Sequence, residues 1–325
     1  MPKHNNEFKT KGSRKMRAAS PDKERYESAV RLLPARLRSI AQSLDGGLKG
    51  RAEEFRLRAG RPFSIAFPQG EVAPMPSDEV TPEDISELLR IVSKGSIHTV
   101  AESLKWGFVT AEGGHRVGVC GSAIVKNGEI AGLRNMSSAS LRIAKELKGI
   151  GNGIYKMLVS GKKIPNILIV SPPGGGKTTL LRDFIRLISD GGMRVAVADE
   201  RNELAALNEG IPGFDIGMHT DVIEGCGKPD AVMMLLRAMN PQVIAMDEIT
   251  TPEDMEAMER AANCGVSLLA TAHAYGMEDL KRRVYYRAAE KLFDKAVLIE
   301  QSEGKRRYTV RDFAYESPRG DVNAC

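Results

Sequence analysis

The run ILIVSPPGGGKTTLLRDF at residues 167–184 restricts this chain more than any other feature. A short apolar strand feeds a glycine-rich loop, and the loop opens directly into an amphipathic helix. That strand–loop–helix context is what gives a G-x-x-x-x-G-K-[ST] pattern physical meaning. Gly174, Gly175 and Gly176 let the backbone curl until successive N–H groups face one anion. Lys177 adds a point charge for the β- and γ-phosphates, and the Thr178 hydroxyl can hold Mg²⁺. The helix that follows brings its positive end to the same place. Ser171, Pro172, Pro173, Gly174, Gly175, Gly176, Lys177, Thr178 and Thr179 are therefore the expected nucleotide cradle. Ser171 stands where the pattern has its first glycine; a residue this small alters the turn without removing the site.

Three other segments belong to the same chemistry. VIAMDEI (243–249) is an apolar strand ending in two carboxylates, the shape of a Walker B element. Asp247 would hold Mg²⁺ through water, and Glu248 would orient or deprotonate an attacking water. Asp199-Glu200-Arg201-Asn202-Glu203 ends the strand after the phosphate-loop helix, and Thr271-Ala272-His273 ends another. Ligands of a doubly wound sheet gather at the carboxyl ends of its strands, so these groups are expected on one rim. His273 can reach a γ-phosphate there, whereas His115 and His219 read as loop histidines. ATP and Mg²⁺ are the expected cofactors, and hydrolysis the expected reaction.

Continuous apolar strands at 167–170, 195–199, 243–247, 266–272 and 296–300 alternate with helices at 178–189, 229–239, 252–263 and 277–290. This alternation predicts an α/β fold, a RecA-like domain with a mainly parallel sheet buried on both faces. A hairpin across Ser302-Glu303-Gly304 closes it. Upstream the pattern is α+β. An amphipathic helix spans 28–44, two short strands lie within 53–67, and a helix capped by Thr81 spans 81–92. A hairpin follows at 114–133, turning at Lys126-Asn127-Gly128, then a strand at 140–143. Glycines at 148–154 suggest a linker. The expected divisions are a disordered basic tail (1–24), a smaller α+β domain (25–147), the ATPase domain (148–315) and a second tail (316–325).

Charge narrows the partners. The net charge of +5 is concentrated in residues 1–24, where seven Lys/Arg stand against three Asp/Glu. Everything after the tail is close to neutral, which argues against a dedicated nucleic-acid binder. The first 25 residues contain no apolar signal region, and no stretch approaches the ~18–20 apolar residues of a membrane span. The expected compartment is the cytoplasm. Four cysteines without any CxxC spacing suggest neither a zinc site nor a disulfide framework.

The order of these motifs carries a family resemblance. The phosphate loop, DERNE at 199–203, LLRAMNPQVIAMDEI at 235–249 and LLATAHA at 268–274 resemble the secretion ATPases, the motors of type II and type IV secretion, pilus assembly and conjugation. GHRVGVCGSAIVKNGEIAGLRNMSSASLRIAKE resembles the arginine-bearing strands before the motor domain in that family. The resemblance covers roughly residues 50–300 and implies a PAS-like N-terminal domain. More narrowly, EFRLRAGRP, GGHRVGVCG, SPPGGGKTTLLRD and ADERNEL resemble the stage III AA family of endospore-forming bacteria.

The resemblance implies a homo-oligomer, a hexamer, with catalytic roles for Glu203, Glu248 and His273. It implies an arginine on the γ-phosphate, with Arg116, Arg134 and Arg142 as candidates. It also implies membrane proteins of the channel between mother cell and forespore as partners, and a peripheral place at the mother-cell membrane. Two departures stand out. Glu248-Ile249-Thr250-Thr251 replaces the usual Glu-Ile-Arg-Asp, and the tetracysteine zinc element of some members is missing. A nucleic-acid-stimulated RecA-like ATPase is the competing reading. The basic tail favours it; the near-neutral body and a single tryptophan do not. A nucleotide-gated scaffold is a third.

Overall fold

Along Glu54–Arg58, Phe55 and Leu57 are buried while the charged residues between them are not, so this strand must lie with one face on a core. The computed structural model describes residues 21–95, 108–126, 128–159, 164–283, 285–302 and 305–313. Residues 1–20 of the expected basic tail, and the whole of the expected tail at 316–325, lie outside the described residues. Pro21–Glu24, assigned to the tail by charge, instead open helix α1 (Pro21–Arg31), with Asp22 and Glu24 at its positive end. The single helix expected at 28–44 is two, α1 and α2 (Ala35–Gln42). Apolar spacing continues through Leu32 and Leu33, but Pro34 lacks an N–H and disfavours a helical residue before it.

Six antiparallel strands follow: β1 (Glu54–Arg58), β2 (Ser64–Phe67), β3 (Gly70–Val72), β4 (Phe108–Ala111), β5 (His115–Lys126) and β6 (Glu129–Arg142). Their order is β3-β2-β1-β6-β5-β4. Helix α3 (Pro82–Val92) packs on this sheet, and Thr81 caps it reciprocally with Asp84. The strand expected at 140–143 is the end of β6, one continuous strand with the hairpin. Tyr26 meets Phe55 edge to face and Phe55 stacks on Phe63, with ring centroids 5.3 and 5.9 Å apart. β4 meets β5 only at His115–Gly118, and β1 meets β6 only at Ser138–Arg142. Beyond Cys120 the two long strands pair only with each other, forming a two-stranded arm.

A second sheet has seven strands in the order β11-β8-β12-β13-β7-β14-β15. They are β7 (Ile167–Ser171), β8 (Val195–Asp199), β11 (Thr220–Glu224), β12 (Val243–Met246), β13 (Ser267–His273), β14 (Lys295–Ser302) and β15 (Lys305–Asp312). Every pairing is parallel except the closing β14–β15 hairpin. A small antiparallel pair, β9 (Leu207–Asn208) and β10 (Ile211–Pro212), stands apart. Both faces are covered. Ile167, Ile169, Val195, Val197, Val243 and Ala245 face helices α4 (Asn152–Leu158) and α5 (Lys177–Asp190). Their neighbours Leu168, Val170, Ala196, Ala198, Ile244 and Met246 face α6 (Lys228–Ala238), α7 (Pro252–Asn263) and α8 (Tyr286–Leu292). Burying each such side chain contributes roughly 1.5–3 kcal/mol, which is why these strands read as unbroken apolar runs. The helix expected at 277–290 is interrupted: one turn at Met277–Leu280 precedes α8.

The segment after β8 joins the two sheets. Arg25 donates to the carbonyls of Gly113 and Gly213 and pairs with Glu146, while Asn208 donates to the Thr110 carbonyl. Lys94 pairs with Glu209, and Lys148 with Asp215. Gly213 permits the approach, because a Cβ there would stand 2.3 Å from the Gly114 nitrogen.

Candidate active site

The phosphate loop lies between buried β7 and α5, at the carboxyl end of the sheet. Gly174 and Gly176 adopt φ of 73° and 97°, a left-handed region that an L side chain resists. Gly175 is required for a different reason: a Cβ there would fall 2.6 Å from the Ser171 hydroxyl. Ser171 is itself buried as the last residue of β7, and its hydroxyl donates to the Pro172 carbonyl. The departure at this position is thus absorbed inside the loop. Ser171 supports the cradle from beneath, while Pro173 and Gly174 are exposed.

β13 separates the phosphate-loop strand from the Walker B strand β12, so it brings its own residues between them. The Thr178 hydroxyl donates to Asp247 at 2.9 Å, and the Thr271 hydroxyl donates to the other Asp247 oxygen at 2.5 Å. Lys177 Nζ, only 8% exposed, lies 3.0 Å from His273 Nε2. That nitrogen accepts, because an ammonium has only donors to offer. It also stands 3.3 Å from the Glu248 carboxylate, whose second oxygen is 3.8 Å from Arg201. Glu248 has a φ of 53°, a conformation costing about 1–3 kcal/mol that survives only where surroundings enforce it. Thr271 Oγ1 accepts its N–H at 2.8 Å.

The donor set suits a magnesium nucleotide. Thr178 and Asp247 present two hard oxygens side by side, and Lys177 offers an ammonium at the loop. Among the described residues no group of three or more His, Cys, Asp or Glu could hold a metal alone, so remaining ligands would come from phosphate and water.

Glu203 is brought to the same rim, where Arg116 pairs with it at 3.0 Å. Asp199 has a structural part instead: its buried carboxylate accepts from the backbone N–H groups of Glu203, Leu204 and Ala205. Burial raises its pKa and those three donors oppose the shift. Arg182, stacked 3.8 Å over Phe214, donates to the Glu203 and Leu204 carbonyls, and burial lowers its pKa to about 10.

A cleft of about 320 Å³ separates the loop from the N-terminal sheet, lined by Thr178, Thr179, Arg182 and Glu203 on one side. Arg116 and Arg142 line the other, directly opposite each other on β5 and β6, with Glu54 next in the row. Arg134 is not in this lining; it sits on the arm, facing Ser122.

His219 is a turn residue, as its sequence suggests, whereas His115 differs from its reading as a loop residue. His115 begins β5 and is fully buried, accepting from the Ala144 N–H and contacting the Ser28 hydroxyl at 2.7 Å. His219 docks on Ser189 at the C-terminal end of α5. Sequence reading missed Lys228 and Arg182, and placed Thr271 on the rim without a role. The signal for Thr271 was present in the TAH run; a lysine opening α6 and an arginine inside α5 look like ordinary helix surface.

Comparison with known proteins gives a family and a fold. The family described as sporulation stage III, protein AA matches residues 23–315. The stage III sporulation protein AA of Bacillus subtilis (strain 168) is 37% identical over 259 residues, 78% of this chain and 83% of the relative. Among solved structures, the Legionella pneumophila ATPase DotB superposes with a TM-score of 0.54 at 15% identity, covering 82% of this chain and 78% of that one. The pilus retraction motor PilT, with bound ADP, gives 0.54 at 20% identity over 80% and 78%. At these identities the likeness is one of fold.

Proposed function

The chain belongs to the sporulation stage III protein AA family, and from that premise we propose that it is an oligomeric, Mg²⁺-dependent ATPase motor. The observation that carries this is the meeting of the loop with a carboxylate pair: Thr178 bonded to Asp247, and Lys177 bonded to His273, whose ring lies beside Glu248. A bound Mg²⁺ supplies Lewis-acid stabilisation of the phosphates. Thr178 and Asp247 would hold it. Glu248 orients the attacking water and takes its proton, His273 reports on the phosphate end, and Glu203 keeps Arg116 in place.

Arg116 and Arg142 deepen the reading. Like charges directly opposite across a sheet are destabilising, and a polyphosphate in the cleft would relieve them. The N-terminal sheet, PAS-like in this reading, would then close on a RecA-like domain with each turnover, using the 148–154 segment as hinge. The assembly would be a homo-hexamer at the mother-cell membrane, driving assembly of or transport through a sporulation channel. No helix of the described residues is long and apolar enough to cross a membrane.

Phosphate release by the full chain, measured beside its mass in solution with and without ATP and Mg²⁺, tests this. Turnover rising with a nucleotide-dependent oligomer is expected. A nucleotide-insensitive monomer that does not turn over ATP contradicts it, and stimulation by single-stranded DNA or RNA would transfer the motor to nucleic acid.

A further inference from the structure

Side chains alternate along β15, so Arg306, Tyr308 and Val310 share one face. Tyr308 and Val310 pack on the cluster holding Leu180, Leu181 and Phe184 of α5. β15 runs antiparallel to β14, which is parallel to β7, so its first residues lie at the carboxyl rim of the sheet, where the phosphate loop is. Arg306 is delivered to the loop itself. A Cβ built on Gly176 would stand 2.9 Å from Arg306 Cζ and 3.2 Å from its Nε and Nη1. The guanidinium lies against the peptide of the residue that caps α5, and Gly176 leaves it room.

This is a costly place for a cation without an anion. Gly176 begins α5, where the helix dipole is positive, and Lys177 is the next residue. Among the described residues, the carboxylates of the site are engaged elsewhere. Glu203 holds Arg116, Glu248 faces His273 and Arg201, and Asp247 takes two threonine hydroxyls. Arg306 is exposed, with solvent open to it, yet its head group folds onto the loop. A charge distribution of this kind is complementary to a polyphosphate.

We propose that Arg306 is a nucleotide-binding residue acting within its own subunit. Its guanidinium would close the phosphate loop from the β15 side and hydrogen-bond the phosphate chain of a nucleoside di- or triphosphate. The inference rests on the reading of residues 171–179 as a nucleotide site. It differs from the role given to the N-terminal arginines. Backbone around Gly176 cradles the β-phosphate, so the Arg306 contact is available to ADP as well as ATP.

Titration of the full chain with ATP and with ADP, in Mg²⁺, tests it in wild type, Arg306→Ala and Arg306→Lys. Loss of a charge-assisted bond weakens both nucleotides by about tenfold or more in Arg306→Ala. Arg306→Lys recovers part of that, since a point charge replaces a fork. Without nucleotide, Arg306→Ala melts no lower than wild type, because a repulsion has been removed. Equal affinities in wild type and Arg306→Ala overturn the inference and leave the nucleotide site standing. So does a loss confined to ATP, or a lower melting temperature with unchanged binding. A wild-type chain that binds neither nucleotide overturns the site itself.

Discussion

The Lys228 ammonium donates to the backbone carbonyl of Glu248 at 2.6 Å. With Thr271 on the N–H, both peptide groups of the left-handed Glu248 are gripped by side chains. Lys228 is buried at the start of α6 and also lies 3.4 Å from Asp254 and 3.7 Å from Glu200. It therefore ties the acidic segment, the Walker B end and the N-terminus of α7 together. Asp254 caps α7 with Thr251, where the family resemblance leads one to look for an arginine and aspartate.

Replacing Lys228 with Met removes that tie. Misplacing a general base by about 1 Å costs about 100-fold in kcat, and the loss of the Lys228 bond to the Glu248 carbonyl lowers stability by about 1–3 kcal/mol. Steady-state kinetics should show kcat falling with KM for ATP little changed, since Lys228 touches no part of the loop. A KM rise with kcat intact would assign Lys228 to binding instead.

Arg142 and Arg134 should separate. Arg142 lines its own cleft, so Arg142→Ala is expected to lose turnover by about 10³-fold while retaining ATP. Arg134 sits on the arm, and its effect would reach a neighbouring subunit. Mixing Arg134→Ala with Lys177→Ala should restore part of the lost activity, whereas mixing Arg142→Ala with Lys177→Ala should not. Rescue in the second mixture and none in the first would reverse the assignment.

His115 supplies a pH dependence. Burial, and after it the charges of Arg25 and Arg31, depress its pKa to about 3. An unfolded histidine titrates near ~6.5, so the unfolded chain binds the extra proton between those values. Its contribution is complete above that range and is lost as pH falls, at about 1.4 kcal/mol per pH unit. Denaturant unfolding between pH 7 and 4 should show this slope in wild type, and His115→Gln should lose it. Identical slopes in the two proteins would remove His115 as the cause.

Much of this site could be read before its fold was known, because its parts are linear. Gly174, Gly176, Lys177 and Thr178 sit within one turn, and Asp247 with Glu248 ends one apolar strand. What escaped reading depends on strand order. β13 lies between β7 and β12, so Thr271 became the residue that bridges Asp247 to the Glu248 backbone. β15 starts at the rim that holds the phosphate loop, and nothing in GKRRYTVR says that its first arginine meets Gly176. Among elements, β3, β4 and β11 were overlooked, each a run of three to five residues, as were the two-residue strands β9 and β10. His115 looked like a turn residue because glycines precede it, yet its ring is satisfied by Ser28 and Ala144, both distant in sequence.

The central claim is that ATP is hydrolysed at this carboxylate-tipped sheet rim. Phosphate release from Mg·ATP by wild type and Glu248→Gln, with ATP binding measured on both, tests it most directly. Removal of the base is expected to lower turnover by about 10²–10⁴-fold while ATP stays bound. Equal turnover in the two proteins, or a wild type that binds no ATP, would contradict it.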